Sequence, residues 1–377
     1  MAKSEFRPTG RITAWTAAVA IATLAFAASP ASAPAVPGKF WGVVPQEIPT
    51  AEEFQRLKRG GVDSIRIPVL WAGVQPTRNG PLTWSEVDAL VGAAATAGIE
   101  VLPFLTGAPT WAVPANRRYG SPNFLPVRNG KQRSGWKNFA RQAVLRYGPR
   151  GSFWAENPGV PTRPIRTWQV WNEQNFMYFV ARPNPAEYGK LVKLSHAAIR
   201  GVDKGARIVL GGLFSRPGEA RLKRRPRLAY FAADFLKELY KRTPGIKGKF
   251  HGIALHPYTG TFKRLGPYIE EARSVLKANR DAGKGLWLTE LGWSSMPPTK
   301  KNSFAKGRGG QKAQLQGAFR LLRKNQRKWR VQRVYWFSVG DAKGACNFCD
   351  GSGLFADGFT PKPAWYAFTR FSGGRPN

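Results

Sequence analysis

Between residues 40 and 337 the chain repeats one pattern eight times: a short apolar, β-branched run, then a longer stretch that reads as helix. The strand-like runs are 40–44, 64–69, 100–105, 165–171, 207–213, 252–256, 286–290 and 333–337. Such alternation belongs to α/β folds, in which parallel strands are joined by helical crossovers. Eight βα units in one chain predict a closed barrel, a single (β/α)8 TIM barrel, more naturally than a doubly wound sheet. No Gly-x-Gly-x-x-Gly follows the first run and no Walker loop occurs, which removes support for nucleotide-binding folds. Helix starts are marked at Thr50 with Glu53, Thr83 with Glu86, and Asn184-Pro185 with Glu187. Ala-rich 87–97 and 188–202 carry apolar residues at helical spacing, and a last helix should begin near Pro363. There is no internal repeat and no linker rich in Pro and Ser. The long connections 111–134, 215–227 and 294–310 follow the third, fifth and seventh strands and should lie at the C-terminal face. The segment 148–164 precedes the fourth strand and belongs to the opposite face.

The first 33 residues stand apart. Lys3, Arg7 and Arg11 precede an Ala-rich apolar stretch, and Ala31-Ser32-Ala33 has the small residues of a cleavage site. This predicts a secretory signal peptide cut after Ala33, a secreted product, and residues 34–377 as the barrel domain. The alternative, an uncleaved anchor, suits the short Ala-rich stretch less well. No other segment is apolar enough to span a bilayer. Oligomeric state is left open.

Lys and Arg total 59 against 22 Asp and Glu, a formal charge of +37. That balance favours anionic partners, such as an acidic glycan or cell-wall polymer, or else reflects an Arg-rich solvated surface. The densest basic clusters, 221–227 and 320–333, are interrupted by one aromatic, Trp329. They lack the interleaved rings of a nucleic-acid platform, so no specific nucleic acid is expected. The two cysteines, Cys346 and Cys349, read as a small disulfide loop in an exported chain. A redox motif would need a surrounding thioredoxin-like unit, and a zinc site would need two more ligands from a chain with three histidines. No metal and no cofactor are expected.

Two glutamates end strand-like runs: Glu173 in Trp171-Asn172-Glu173 on the fourth, and Glu290 in Leu288-Thr289-Glu290 on the seventh. In a barrel, strand C-termini converge on one face, so the two carboxylates would meet across a central cleft. Paired carboxylates among tryptophans suit glycoside hydrolysis. One acid protonates the leaving oxygen, and the other carboxylate acts on the anomeric carbon from the opposite side. Aromatic rings pack against the flat C–H faces of sugars.

With these motifs the chain resembles the retaining (β/α)8 glycoside hydrolases of clan A and is most similar to families 5 and 39. The resemblance covers roughly residues 38–371. It implies that Glu173 is the acid/base and Glu290 the nucleophile. It implies further that Arg66, in Ser64-Ile65-Arg66-Ile67-Pro68, keeps Glu290 ionised. Asn172 would hold the sugar 2-hydroxyl, His256 would contact substrate, and Tyr258 would hydrogen-bond the nucleophile. Trp336, ending the eighth strand, would floor the sugar subsite. About half of Trp71, Trp111, Trp171 and Trp293 are expected to be sugar platforms and half core. Gln174 departs from the family's usual Asn-Glu-Pro. The competing expectation is a carbohydrate-binding or cell-surface barrel that has lost turnover.

Overall fold

The computed structural model describes residues 37–216, 228–342, 344, 346 and 349–377. The expected signal peptide and the basic cluster 221–227 lie outside the described residues. Eight parallel strands close into a barrel in chain order: β1 (Trp41–Val44), β2 (Ser64–Leu70), β3 (Glu100–Thr106), β4 (Thr167–Asn172), β5 (Arg207–Phe214), β6 (Gly252–His256), β7 (Gly285–Leu291) and β8 (Val331–Phe337). Closure is made by β8 pairing with β1, with Trp41 opposite Val334 and Val44 opposite Phe337. The α/β class and the single eight-stranded barrel are therefore as the alternating pattern requires.

The long helices are α1 (Ala51–Arg59), α2 (Ser85–Thr96), α3 (Gly130–Tyr147), α4 (Pro185–Val202), α5 (Ala232–Arg242), α6 (Leu265–Ala278), α7 (Gly307–Lys324) and α8 (Pro363–Ser372). Thr50 and Glu53 form a reciprocal capping box at α1, and the Asn184 side chain accepts from the Ala186 and Glu187 amides at α4. The expected cap at Thr83 does not form. Helix α2 starts after Trp84 with no side-chain cap, and the Thr83 amide instead donates to the Val74 carbonyl at 2.8 Å.

Two apolar regions result. The larger lies between strands and helices, where α1 contributes Phe54 and Leu57, and α7 contributes Leu315 and Phe319. The smaller fills the barrel interior with Val44, Leu102, Val209, Ala254, Trp287, Tyr335 and Phe337. Glycines make room for its large rings. A Cβ on Gly252 would stand 2.1 Å from the Trp287 ring, and one on Gly42 would stand 2.6 Å from Tyr335. The plug lifts the site to the C-terminal rim. Beyond β8, Cys346 and Cys349 form a disulfide with Cα atoms 5.0 Å apart. It closes so short a loop that its stabilisation is small. No helix among the described residues is long and apolar enough to cross a membrane.

Candidate active site

Side chains alternate along a strand, so a single strand end normally offers the barrel mouth only every second residue. Strands β4 and β7 depart from this rule. At the end of β4, Trp171 and Glu173 adopt positive φ values of 70° and 42°. Non-glycine residues hold such backbone only when their surroundings impose it. The turn brings Asn172 and Glu173 together into the cleft, and the Glu173 amide donates to the Gly212 carbonyl at 3.0 Å. On β7 the pairing with β8 shifts register between Leu288 and Leu291. Thr289 and Glu290 consequently both reach the site.

Arg66, fully buried on β2, organises the floor. Its Nη1 donates to Glu290 Oε1 at 2.7 Å, its Nη2 to Asn172 Oδ1 at 2.6 Å, and its Nε to Gln169 Oε1 at 2.7 Å. Its guanidinium lies 3.9 Å from the Phe104 ring centroid. Tyr258 Oη donates to Glu290 Oε2 at 2.8 Å. His256 sits between the carboxylates, with Nδ1 2.6 Å from Glu173 Oε1 and 3.4 Å from Glu290 Oε2. One oxygen of each glutamate and a ring nitrogen of His256 all lie within 4.8 Å of one another. Gly212 makes room for His256, because a Cβ there would stand 1.9 Å from Nε2.

Because a guanidinium only donates, these contacts have a direction. Arg66 fixes the Gln169 amide with Oε1 towards it. Gln169 Nε2 then donates to the Leu210 carbonyl at 3.2 Å and to Thr289 Oγ1 at 3.4 Å. The Thr289 hydroxyl passes its own hydrogen to His256 Nε2, 3.0 Å away. His256 therefore carries its proton on Nδ1 and gives that bond to Glu173 Oε1, which leaves Oε2 of Glu173 as the oxygen that holds the carboxyl proton. Replacing Thr289 with Val removes the hydroxyl that sets this tautomer. The bond to the ionised form of Glu173 weakens and its pKa rises. The expected outcome is a basic limb of the pH–rate profile displaced to higher pH and a kcat lower by roughly tenfold. An unmoved limb would dismiss the relay.

Burial, then the charge of Glu290, raises Glu173 well above the usual carboxylate range, with Arg66 opposing. Burial raises Glu290 as well, but Arg66 and the Tyr258 hydroxyl pull it back. The shared proton therefore rests on Glu173. Burial and Arg66 push His256 well below its ordinary value, so it is neutral. Burial and the glutamates hold Tyr258 protonated as a donor. Glu173, His256 and Glu290 are also the groups that could approach a cation, but Arg66 already satisfies Glu290 from within the same cluster.

Glu173, Glu290, Arg66, Asn172, His256 and Tyr258 all meet in one cleft. Trp336 does not, and the expectation that it floors a subsite is corrected. It is fully buried on the helix side of β8, packed near Trp293 and Phe319, with its indole N–H donating to the Ser352 carbonyl at 3.0 Å. The period of two sends Tyr335 and Phe337 inward instead. The tryptophans near strand ends also divide differently than expected. Trp71, Trp171 and Trp293 are core, and only Trp111 is partly exposed. Gln169, Thr289, Phe104 and Phe337 escaped the sequence reading. Alternation along β4 marks Gln169 as a buried polar residue, but nothing local marks its partners.

Residues 178–366, half of the chain, match the family model described as glycosyl hydrolase catalytic core. The chain belongs to that family. The match includes Glu290, while Glu173 lies five residues before it. Among solved structures, the chain resembles a family 39 glycoside hydrolase from the gut symbiont Bacteroides cellulosilyticus WH2. That pair has a TM-score of 0.62 and 20% identity, over 88% of this chain and 63% of the other. It also resembles a monomeric beta-xylosidase from Caulobacter crescentus CB15, with TM-score 0.62, 18% identity, and 90% and 68% coverage. A GH5_18 protein from Bifidobacterium longum subsp. infantis gives TM-score 0.58, 15% identity, and 89% and 78% coverage. At these identities the likeness is one of fold, and the chain spans less than two thirds of the Bacteroides protein. No curated protein matches the sequence.

Proposed function

We propose that the chain is a secreted retaining glycosidase that cleaves O-glycosidic bonds of an oligo- or polysaccharide by double displacement. Glu290 attacks the anomeric carbon, and Glu173 protonates the departing oxygen and then deprotonates the incoming water. The observation that carries this reading is the close approach of the two carboxylates, within 4.8 Å at their nearest oxygens. Retaining enzymes hold these groups about 5–5.5 Å apart, whereas an inverting water needs roughly 6.5–9.5 Å. Arg66 and Tyr258 favour the ionised form of Glu290, as a nucleophile requires, and burial favours the protonated form of Glu173, as an acid requires. Asn172 lies beside both glutamates, in reach of a sugar hydroxyl, and Phe337 offers the inward apolar surface that Trp336 does not. Export rests on the pattern of the first 33 residues, and the Cys346–Cys349 disulfide accords with an oxidising compartment.

The test is proton NMR of the first product released from an aryl glycoside or an oligosaccharide. The expected anomer is that of the substrate, and an inverted first product would exclude double displacement. Activity should follow a bell-shaped pH profile. The acidic limb tracks ionisation of Glu290 and the basic limb loss of the Glu173 proton, each limb reporting on the coupled pair. Hydrolysis itself separates an enzyme from a barrel that only binds sugar.

A further inference from the structure

The loops that follow β2, β3, β4, β6 and β7 build most of the barrel mouth, and they contain a single acidic residue, the cleft's own Glu173. They carry exposed cations: Arg117 and Arg118 after β3, Arg182 after β4, Lys263 after β6, and Lys300 and Lys301 after β7. Among the described residues none of these six pairs with a carboxylate. Acidic side chains gather elsewhere. Asp63, Glu100 and Asp281, at the opposite end of the barrel, face Lys58, Lys39 and Lys284. At the mouth itself, Glu47 follows β1, and Asp350 and Asp341, the latter paired with the Lys362 ammonium at 2.6 Å, follow β8. Among the described residues the rim thus carries its unpaired cations after β3, β4, β6 and β7 and its acids after β8 and β1. A uniformly basic composition would not place the acids so.

Aromatic surface accompanies the cations. Tyr178 and Phe179, 39% and 36% exposed, stand in the loop after β4 that carries Arg182. Tyr178 packs edge-on against Tyr119, next to Arg118, with ring centroids 4.5 Å apart, and the Ala181 amide donates to the Pro122 carbonyl at 3.1 Å. The loops after β3 and β4 therefore form one wall that presents rings and unpaired positive charge together.

The floor is different. Among the described residues its only cation, Arg66, is consumed by Glu290, Asn172 and Gln169, and the reacting groups are two carboxylates. An anion on the sugar being cleaved would face them without a counter-charge. Cations on the rim with none free on the floor suit an extended chain whose flanking sugars are charged. Building on the glycosidase reading, we propose that the substrate is an acidic glycan chain, held by the rim loops after β3, β4, β6 and β7 through carboxylate, sulfate or phosphate groups on sugars flanking the scissile one.

The experiment measures binding to immobilised polygalacturonate, to its carboxyl-reduced form, to chondroitin sulfate and its desulfated form, and to single-stranded DNA. Hydrolysis of aryl glycosides is followed separately. Binding to at least one acidic glycan should exceed binding to its neutralised counterpart and should weaken at least about tenfold between roughly 50 and 200 mM salt. The double variants Arg117→Glu/Arg118→Glu and Lys300→Glu/Lys301→Glu should each weaken it by about tenfold or more, with thermal melts reporting that they fold. The acidic glycan that binds best identifies the anionic group. Equal binding of every acidic and neutral pair would overturn the proposal. So would DNA binding more tightly than all glycans and being lost in the same variants. Loss of aryl-glycoside turnover with acidic-glycan selectivity intact would sink the glycosidase reading and leave the binding surface standing.

Discussion

Glu290→Ala is expected to lower kcat by about 10⁴-fold or more, because the proposed double displacement loses its nucleophile with that side chain. His256 is the nearest alternative, and it is buried, neutral and engaged at both nitrogens. The truncated side chain leaves space at the position of the nucleophile. Azide should occupy it and restore part of the turnover, giving a glycosyl azide of inverted configuration with an activated aryl glycoside. The product's anomeric configuration, read by NMR, makes the assignment specific. A variant with full activity would remove Glu290 from the nucleophile role. Azide rescue in Glu173→Ala with inversion, and none in Glu290→Ala, would exchange the two roles.

Arg66→Leu should have the second largest effect, on both stability and pH dependence. Arg66 is fully buried and satisfies Glu290, Asn172 and Gln169 at once. Removing one partner of a buried ion pair typically costs about 3–5 kcal/mol, because the remaining charge is left in a poor solvent. The sign with pH follows from Glu290. Burial already raises its folded-state pKa, and Arg66 is the strongest influence opposing that. Without the guanidinium the pKa rises further, so the folded state binds the proton more tightly than the unfolded chain does. The variant should be least destabilised in acid, where Glu290 is protonated, and should lose stability as pH rises through the new folded-state pKa. The acidic limb of activity should move to higher pH, with kcat lower by roughly 10²-fold or more. Melting curves across pH, compared with the wild type, test the first statement and the pH–rate profile tests the second. A limb that stays in place would mean that Arg66 does not govern Glu290.

Much of the site was legible because strand ends are readable in one dimension. Glu173 follows Asn172 at the end of an apolar run and Glu290 ends another, and the barrel's geometry brings strand C-termini to one face. Arg66 is a charge embedded in the apolar run Ser64–Leu70, which already says that it must be paired. Trp336 was misplaced for an equally local reason. The run ends Tyr335-Trp336-Phe337, three aromatics in succession, and hydrophobicity does not say which of them faces inward. Only pairing with β1 and β7 and packing against α7 set that phase. The tryptophans at other strand ends show the same ambiguity, since a ring that suits a sugar suits a helix–sheet seam equally well.

Periodicity, chain order and the chemistry of single residues decided the class of fold, the order of the strands and the pair of glutamates, because these follow from local preferences and from the few topologies that alternating strands and helices allow. Tertiary structure decided what those preferences leave degenerate. The left-handed backbone at Trp171 and Glu173 and the register shift on β7 admit adjacent side chains to one cleft. The absence of a Cβ on Gly212 leaves the volume that His256 fills. The donor chain from Arg66 through Gln169 and Thr289 orients the proton between His256 and Glu173 across residues far apart in sequence. Such contacts depend on distances of a few ångströms between strands on different sides of the barrel, and those distances exist only once the ring has closed.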